Sequence, residues 1–156
     1  MNRFEMIAVL LISSTPVLAV KGELDFKGFP LGGRVEAFKQ KFSSFQCRST
    51  SDHQIACDSA RETYASFDVD IILVSFVDGR LHSFQVDGNG ADKKSKILAA
   101  MKEKYGEPSS DDKQSTRWEL PNGNCHLTSA SLLKFQLICN SNMGLPKSNR
   151  PAKDDI

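Results

Sequence analysis

The sequence has almost no excess charge, few histidines and no long hydrophobic run. Its 156 residues hold 20 Lys and Arg against 19 Asp and Glu, a formal net charge of +1. This balance argues against a dedicated nucleic-acid-binding protein, because neutralising phosphates requires clustered basic residues. With 40% hydrophobic and 25% charged residues, the composition is typical of a soluble globular protein. It excludes a collagen-like repeat, a multi-span membrane protein and a chain disordered throughout.

Motifs for common chemistries are also missing. The sequence has no Gly-Lys-Ser/Thr phosphate loop and no serine in a Gly-x-Ser-x-Gly context. Asp68, Asp70 and Asp78 do not follow the spacing of a calcium-binding loop. We therefore expect no enzyme activity, no cofactor and no metal. The catalytic alternative is a small secreted hydrolase that uses Ser75 and His82 of one hairpin.

The first 19 residues have the parts of a secretory signal peptide. Arg3 precedes an apolar run at residues 6–12, and Pro16 and a small-residue ending at Ala19 follow. The run is too short to span a bilayer, so no integral membrane span is expected. We expect cleavage after Ala19 and a periplasmic or secreted mature protein. No Cys follows that site, which argues against a lipid anchor.

All four cysteines lie in the expected mature part of the chain, and an even number in an exported protein favours disulfides. Three pairings are possible. We favour Cys47 with Cys57 and Cys125 with Cys139, because each pair is close in sequence and flanks a turn. The alternative is a four-cysteine zinc site, but neither spacing matches a zinc knuckle. Each bridge is expected to stabilise the fold by roughly 2 to 4 kcal/mol.

A hairpin around Asp78-Gly79 is the clearest local signal. Ile71–Val77 runs into this two-residue turn, and the chain returns over residues 80–86. Regular pairing from the turn places Ile72, Val74, Phe76 and Leu81 on one face and Ile71, Leu73, Phe84 and Val86 on the other. Both faces would then be apolar, which predicts a central hairpin with each face covered.

Two helices are predicted, over residues 34–42 and 92–105, from apolar residues at helical spacing. Further strands are predicted over residues 45–48, 54–59, 116–120, 125–128 and 132–139. The last segment, 140–156, lacks periodic apolar residues, which predicts a disordered tail.

These elements predict an α+β domain over residues 20–139, in which an antiparallel sheet packs against two short helices with two local disulfides. The sequence 37–42 resembles 100–105 at an offset of 63. The order helix, strands, helix, strands therefore permits two halves, 26–88 and 89–139, although two Lys-rich amphipathic helices can match by chance.

Three short strings resemble a known group of exported α+β modules. They are Phe29-Pro30-Leu31-Gly32, residues 104–108 and Trp118-Glu119-Leu120. They resemble the SmpA/OmlA-type outer-membrane assembly lipoproteins, and the duplicated arrangement with one disulfide per half is similar to the β-lactamase inhibitory protein type. Both families bind other proteins, so the resemblance implies interaction rather than catalysis.

We therefore expect an exported, non-enzymatic protein-binding module, whose sharpest form is an inhibitor or immunity partner of a secreted hydrolase. Ile72, Val74, Phe76 and Leu81, or the opposite set of the hairpin, are the predicted binding residues. The hydrolase and a structural cell-envelope component are the alternatives. The identity of the protein partner and the oligomeric state cannot be read from the sequence.

Overall fold

A computed structural model describes residues 22–112, 114–129 and 133–142. The helices are α1 (Val35–Lys41) and α2 (Ala91–Tyr105). The strands are β1 (Asp25–Phe26), β2 (Phe29–Pro30), β3 (Gln46–Ser51), β4 (Gln54–Ala60), β5 (Thr63–Tyr64), β6 (Phe67–Asp68), β7 (Ile71–Val77), β8 (Arg80–Asn89), β9 (Ser110–Asp111), β10 (Ser115–Leu120), β11 (Gly123–Ser129) and β12 (Lys134–Ser141).

Eight of these strands form one antiparallel sheet. Their order is β3-β4-β7-β8-β12-β11-β10-β9, and every neighbouring pair is antiparallel. The order is symmetric about the β8–β12 pair, and one helix precedes each set of four strands. The α+β class with an antiparallel sheet and two helices is thus confirmed, with the sheet dominating. The two halves stay a prediction.

The predicted central hairpin is present, but its predicted face composition is wrong. Asp78 and Gly79 form the turn with positive φ angles of 49° and 71°, as a two-residue hairpin turn requires. The register then shifts, because Phe76 pairs with Leu81 whereas Ser75 pairs with Ser83. This β-bulge leaves His82 as an extra residue in β8, and every later side chain changes face.

The bulge concentrates the apolar side chains of the hairpin on one face. Phe84 is paired with Val74 and Val86 with Ile72, so Phe84 and Val86 join the set that contains Leu81. All of these side chains are at most 1% exposed. The hairpin therefore has one fully apolar face and not two.

Both helices cover this apolar face. Helix α1 buries Val35 and Phe38, and the ring of Phe38 lies 5.2 Å from that of Phe76. Helix α2 buries Ile97, Met101 and Tyr105, and Leu98 is partly buried against the same core. Their side chains share one core with the covered sheet face. Burying each large side chain contributes roughly 1.5 to 3 kcal/mol.

The two disulfides have the predicted pairing. Cys47 is bonded to Cys57 across β3 and β4, and Cys125 to Cys139 across β11 and β12. In each case the two residues are direct partners in the ladder. Three of the four cysteines have no exposed surface, and Cys47 at the sheet edge is half-buried.

Two predicted segments lie largely outside the described residues. The expected signal peptide, residues 1–19, is outside them, as is most of the predicted tail, residues 143–156. Strand β12 continues through Asn140 to Ser141, two residues beyond its predicted end. Within the described ranges, no helix is long and apolar enough to cross a membrane.

Candidate functional site

The four residues predicted to bind a partner are core residues. Ile72, Val74, Phe76 and Leu81 each have 0% exposure. They lie between the sheet and the helices, so a partner cannot touch them in this structure. The predicted contact surface is corrected accordingly, because the bulge at His82 gathers all large hairpin side chains on the helix-covered face. Of the opposite set, only Ile71 and Leu73 lie on the other face.

That other face, which we call the open face, is formed by three rows of side chains that run across the sheet. The rows follow directly from the ladder register. They are Arg48-Ala56-Ser75-Ser83-Asn140-Asn124-Glu119, Gln46-Asp58-Leu73-Gln85-Ile138-His126-Arg117 and Ala60-Ile71-Asp87-Gln136-Thr128-Ser115. Every one of these residues is half-buried or exposed, so the face is accessible along the sheet.

The open face is mixed in chemistry. Its large aliphatic side chains are Ile71, Leu73 and Ile138, and Leu73 and Ile138 lie two strands apart in the same row, on either side of Gln85. Most other positions are amides or hydroxyls. Such a mixture is compatible with a non-obligate interface, whose apolar fraction is close to that of ordinary protein surface.

The carboxylate of Asp87, in an outer row of the open face, is held by two amides. Gln85 Nε2 donates to Asp87 Oδ2 at 2.8 Å, and Gln136 Nε2 donates to Asp87 Oδ1 at 3.0 Å. Towards the sheet edge, Arg48 Nη1 lies 2.5 Å from Asp58 Oδ1. Neighbouring side chains therefore orient these charged groups on the open face.

Two clefts border the row that contains Asp87. The larger, of about 440 Å³, is lined by residues between Ala60 and Asp70 together with Lys93. The smaller, of about 200 Å³, lies between Asp70 and Lys134. Asp70 lines both clefts, and Asn89 Nδ2 donates a hydrogen bond to its carboxylate. These clefts give the open face a polar, mixed-charge margin.

A third cleft, of about 260 Å³, lies on the helix side between the β5–β6 hairpin and α2. Tyr64 and Tyr105 form part of its wall. Burial raises the pKa of both phenols above the ordinary value. Both tyrosines therefore stay neutral at physiological pH and act as packing groups.

The Ser75–His82 pair of the hydrolase alternative is not assembled as predicted. Ser75 is opposite Ser83, and His82 is the bulged residue. Among the described side chains, the only histidine hydrogen bond joins His53 Nδ1 to Asp78 Oδ1 at 2.9 Å. Both of these groups lie on exposed turns, with 76% and 49% of the side chains accessible.

No group of three or more His, Cys, Asp or Glu residues able to hold a metal ion is found in the described ranges. What the open face can do chemically is form hydrogen bonds, ion pairs and aliphatic contacts over a broad area.

Comparison of the chain with protein-family models, with characterised proteins and with solved structures gave no match. The open face therefore has to be interpreted from its own geometry.

Sequence reasoning missed most of the open-face residues. In the segment 134–139, apolar and more polar residues alternate, so Gln136 and Ile138 point to the face opposite that of Phe135 and Leu137. The alternation shows that the two sets point to opposite faces. The less apolar set of this alternation, Gln136 and Ile138, is the signal in the sequence that marks the open face.

Proposed function

We propose that the protein is an exported, non-enzymatic module that binds another protein through the open face. The observation that carries this proposal is the one-sided covering of the sheet: both helices lie on one face, while every residue of the other face is partly accessible. An antiparallel sheet tolerates one solvated face. The half-buried side chains of Ile71, Leu73 and Ile138 give this face aliphatic area that a partner could cover.

Two features favour an extracytoplasmic location. Disulfides persist in oxidising compartments, and this chain carries two, each across neighbouring strands. Together with the signal-like residues 1–19, they favour a periplasmic or secreted location. Within this class, an inhibitor or immunity partner of a secreted hydrolase is the sharpest form, because such a protein needs a rigid surface and no catalytic group of its own.

A capture experiment tests the open face directly. The mature disulfide-bonded protein is immobilised and exposed to extracellular or periplasmic proteins of the host, in parallel with Leu73→Arg and Ile138→Arg. Leu133→Arg is the matched control, because Leu133 is 67% exposed and lies outside the open-face rows. A partner retained by the wild type and the control, and lost by both open-face variants, is expected.

Retention of every captured protein by Leu73→Arg and Ile138→Arg would contradict the proposal, as would the absence of any specific partner. Circular dichroism of each variant before capture shows whether the sheet is intact. Once a partner is identified, a hydrolase activity assay on it separates an inhibitor from a module that binds without inhibiting.

A further inference from the structure

In the part of the chain that the structure describes, one edge of the eight-stranded sheet is covered by neighbouring residues, and the other edge is not. At one end, the short strand β9 and its flanking residues follow the outer side of β10. At the other end, β3 is the outermost strand among the described residues. An uncovered edge presents unpaired backbone N–H and C=O groups to any extended chain that approaches it.

On the outer side of β10, the outward backbone groups are satisfied one after another. Ser109 N donates to Arg117 O at 2.7 Å, and Glu119 N donates to Ser109 Oγ at 2.9 Å. Asp112 N donates to Ser115 O at 2.9 Å, while Ser115 N donates to Asp112 Oδ1 at 2.7 Å. Residues 109–112 thus block this edge, partly with side chains.

The outward groups of β3 can be identified from the disulfide pair. The Cα atoms of Cys47 and Cys57 are 4.0 Å apart, the short separation of a non-hydrogen-bonded antiparallel pair. Cys47, and by alternation Ser49, therefore direct their N–H and C=O groups away from β4. Within residues 22–112, 114–129 and 133–142, no strand pairs with these four groups.

We propose that β3 is a docking edge for an extended segment of another protein that carries an acidic residue opposite Arg48. The segment adds a ninth antiparallel strand to the sheet and extends the open face. This inference deepens the proposed protein-binding function and rests on it, since it names the kind of segment that the partner contributes.

The position of Arg48 favours an acidic partner residue. Arg48 and Ala56 form a hydrogen-bonded pair, so the backbone N–H and C=O groups of Arg48 point towards β4. Relative to a strand added on the outer side of β3, Arg48 therefore occupies a non-hydrogen-bonded position. Side chains approach each other most closely at such positions. The Arg48 side chain is 65% exposed, and its guanidinium has further N–H donors beyond the one that faces Asp58.

Arg48 also disfavours a second copy of the chain as the occupant. If two β3 strands pair antiparallel, all of their outward N–H and C=O groups find partners only when Cys47 of one copy lies opposite Ser49 of the other. That register places Arg48 directly opposite its own counterpart, and like charges in that position are destabilising. Any other register loses part of the short ladder.

A peptide titration followed by NMR tests the docking edge. The probes are a blocked peptide, Thr-Ile-Thr-Glu-Thr-Ile-Thr, and its copy with Lys in place of Glu. With the Glu peptide, we expect the amides of Cys47 and Ser49 to shift and to gain protection from hydrogen exchange. The Lys peptide is expected to bind about threefold to tenfold more weakly, because it exchanges an attractive cross-strand pair for a repulsive one.

Substitutions at Ser49 and Arg48 test the backbone and the charge contribution of β3 separately. Ser49→Pro removes an outward N–H without touching the β4 ladder and is expected to abolish peptide binding, whereas Ser49→Thr retains it. Arg48→Glu is expected to reverse the preference between the two peptides. An unchanged preference in Arg48→Glu overturns the inference, as does binding that leaves the Cys47 and Ser49 amides unaffected or no binding at all.

A negative peptide titration would not by itself contradict binding of a partner through the open face. The peptide titration uses no natural partner, so it can fail while capture through the open face succeeds. Concentration-dependent dimerisation that Ser49→Pro abolishes would identify a second copy as the occupant and would also overturn the inference.

Discussion

At the scale of single residues, Gly88 and Phe135 show how a missing side chain shapes the core. The two residues are direct partners in the β8–β12 ladder. A Cβ atom at Gly88 would lie 2.4 Å from Phe135 Cζ, so the aromatic ring occupies the space over the glycine. Phe135 is only 2% exposed, and its buried ring has little room to move aside.

Gly88→Ala is therefore expected to reduce the free energy of unfolding by about 1 to 3 kcal/mol, the usual cost of overpacking. The measurement is urea unfolding at equilibrium. Phe135→Leu removes ring atoms at the point of collision, so the alanine should cost less in that background than in the wild type. Equal costs in the two backgrounds would show that the ring does not set the constraint.

The ionisation of Glu62 is linked to the fold through its hydrogen bonds. The Ser44 hydroxyl donates to its carboxylate at 2.6 Å, and Ser59 and Lys27 also contact it. The Ser44 hydrogen bond is the largest influence on the pKa of Glu62; burial opposes it, but the pKa is lowered below the ordinary value of 4.5. A carboxyl with a lowered folded pKa stabilises the fold above its unfolded pKa.

The stability that Glu62 contributes is thus present at neutral pH and is lost as the pH falls below about 4.5 through the lowered folded pKa. Ser44→Ala is expected to raise the pKa of Glu62, which a carboxyl carbon NMR titration measures. The variant should lose stability near pH 7 but approach the wild type once the pH has fallen through the lowered folded pKa and Glu62 is protonated in both proteins. A stability difference that is independent of pH would contradict this assignment.

At the scale of elements, the β-bulge in β8 decides which face of the sheet is apolar. With His82 as the extra residue, Phe84 and Val86 face the helices, on the same side as Leu81. Without the bulge, the residues after His82 would face the opposite side, because the side-chain period of a strand is two. The single extra residue, His82, therefore decides whether Phe84 and Val86 lie on the core face or on the open face.

Deletion of His82 is expected to be tolerated, with a loss below about 2 kcal/mol, because regular pairing then keeps Phe84 and Val86 in the core. Deletion of Gln85 is the matched control: it moves either Phe84 or Val86 out of the core and should cost about 2 to 5 kcal/mol. Urea unfolding measures both. A larger loss from deleting His82 than from deleting Gln85 would show that the bulge does not set the register.

At the scale of the whole molecule, one sheet and one core join the first and last parts of the chain. Strand β8 pairs with β12 over seven residue pairs. The same core cluster includes Phe38 of α1 and Trp118 of β10. Shared hydrogen bonds and shared packing make it unfavourable for either half to unfold alone.

We accordingly expect a single unfolding transition. Trp118 is the only tryptophan and lies fully buried in the second half of the chain, so its fluorescence reports that half, whereas far-ultraviolet circular dichroism reports the entire sheet. The two denaturation curves should coincide. Separate midpoints would indicate that residues 26–88 and 89–139 unfold independently.

Local signals predicted much of the fold. The Asp78-Gly79 turn, the helix predicted over residues 92–105 and the pairing of the four cysteines are all confirmed, because each depends on residues close in the chain. The hairpin residues predicted to bind a partner lie in the core instead, where Ile72 and its neighbours have no exposed surface. Hydrophobicity alone does not distinguish a core residue such as Ile72 from a residue that contacts a partner. The β-bulge, which decides which hairpin side chains are buried, has no simple sequence signature.

The sequence by itself determined the antiparallel hairpins, the two helices and the local disulfides, since turn chemistry, periodicity and short separations act within a few tens of residues. Only the tertiary structure decided which side of the sheet the helices cover and which edge is blocked by residues 109–112. Those choices depend on side chains that are distant in sequence and meet only when the core closes, because burial is set by the complete set of packed neighbours.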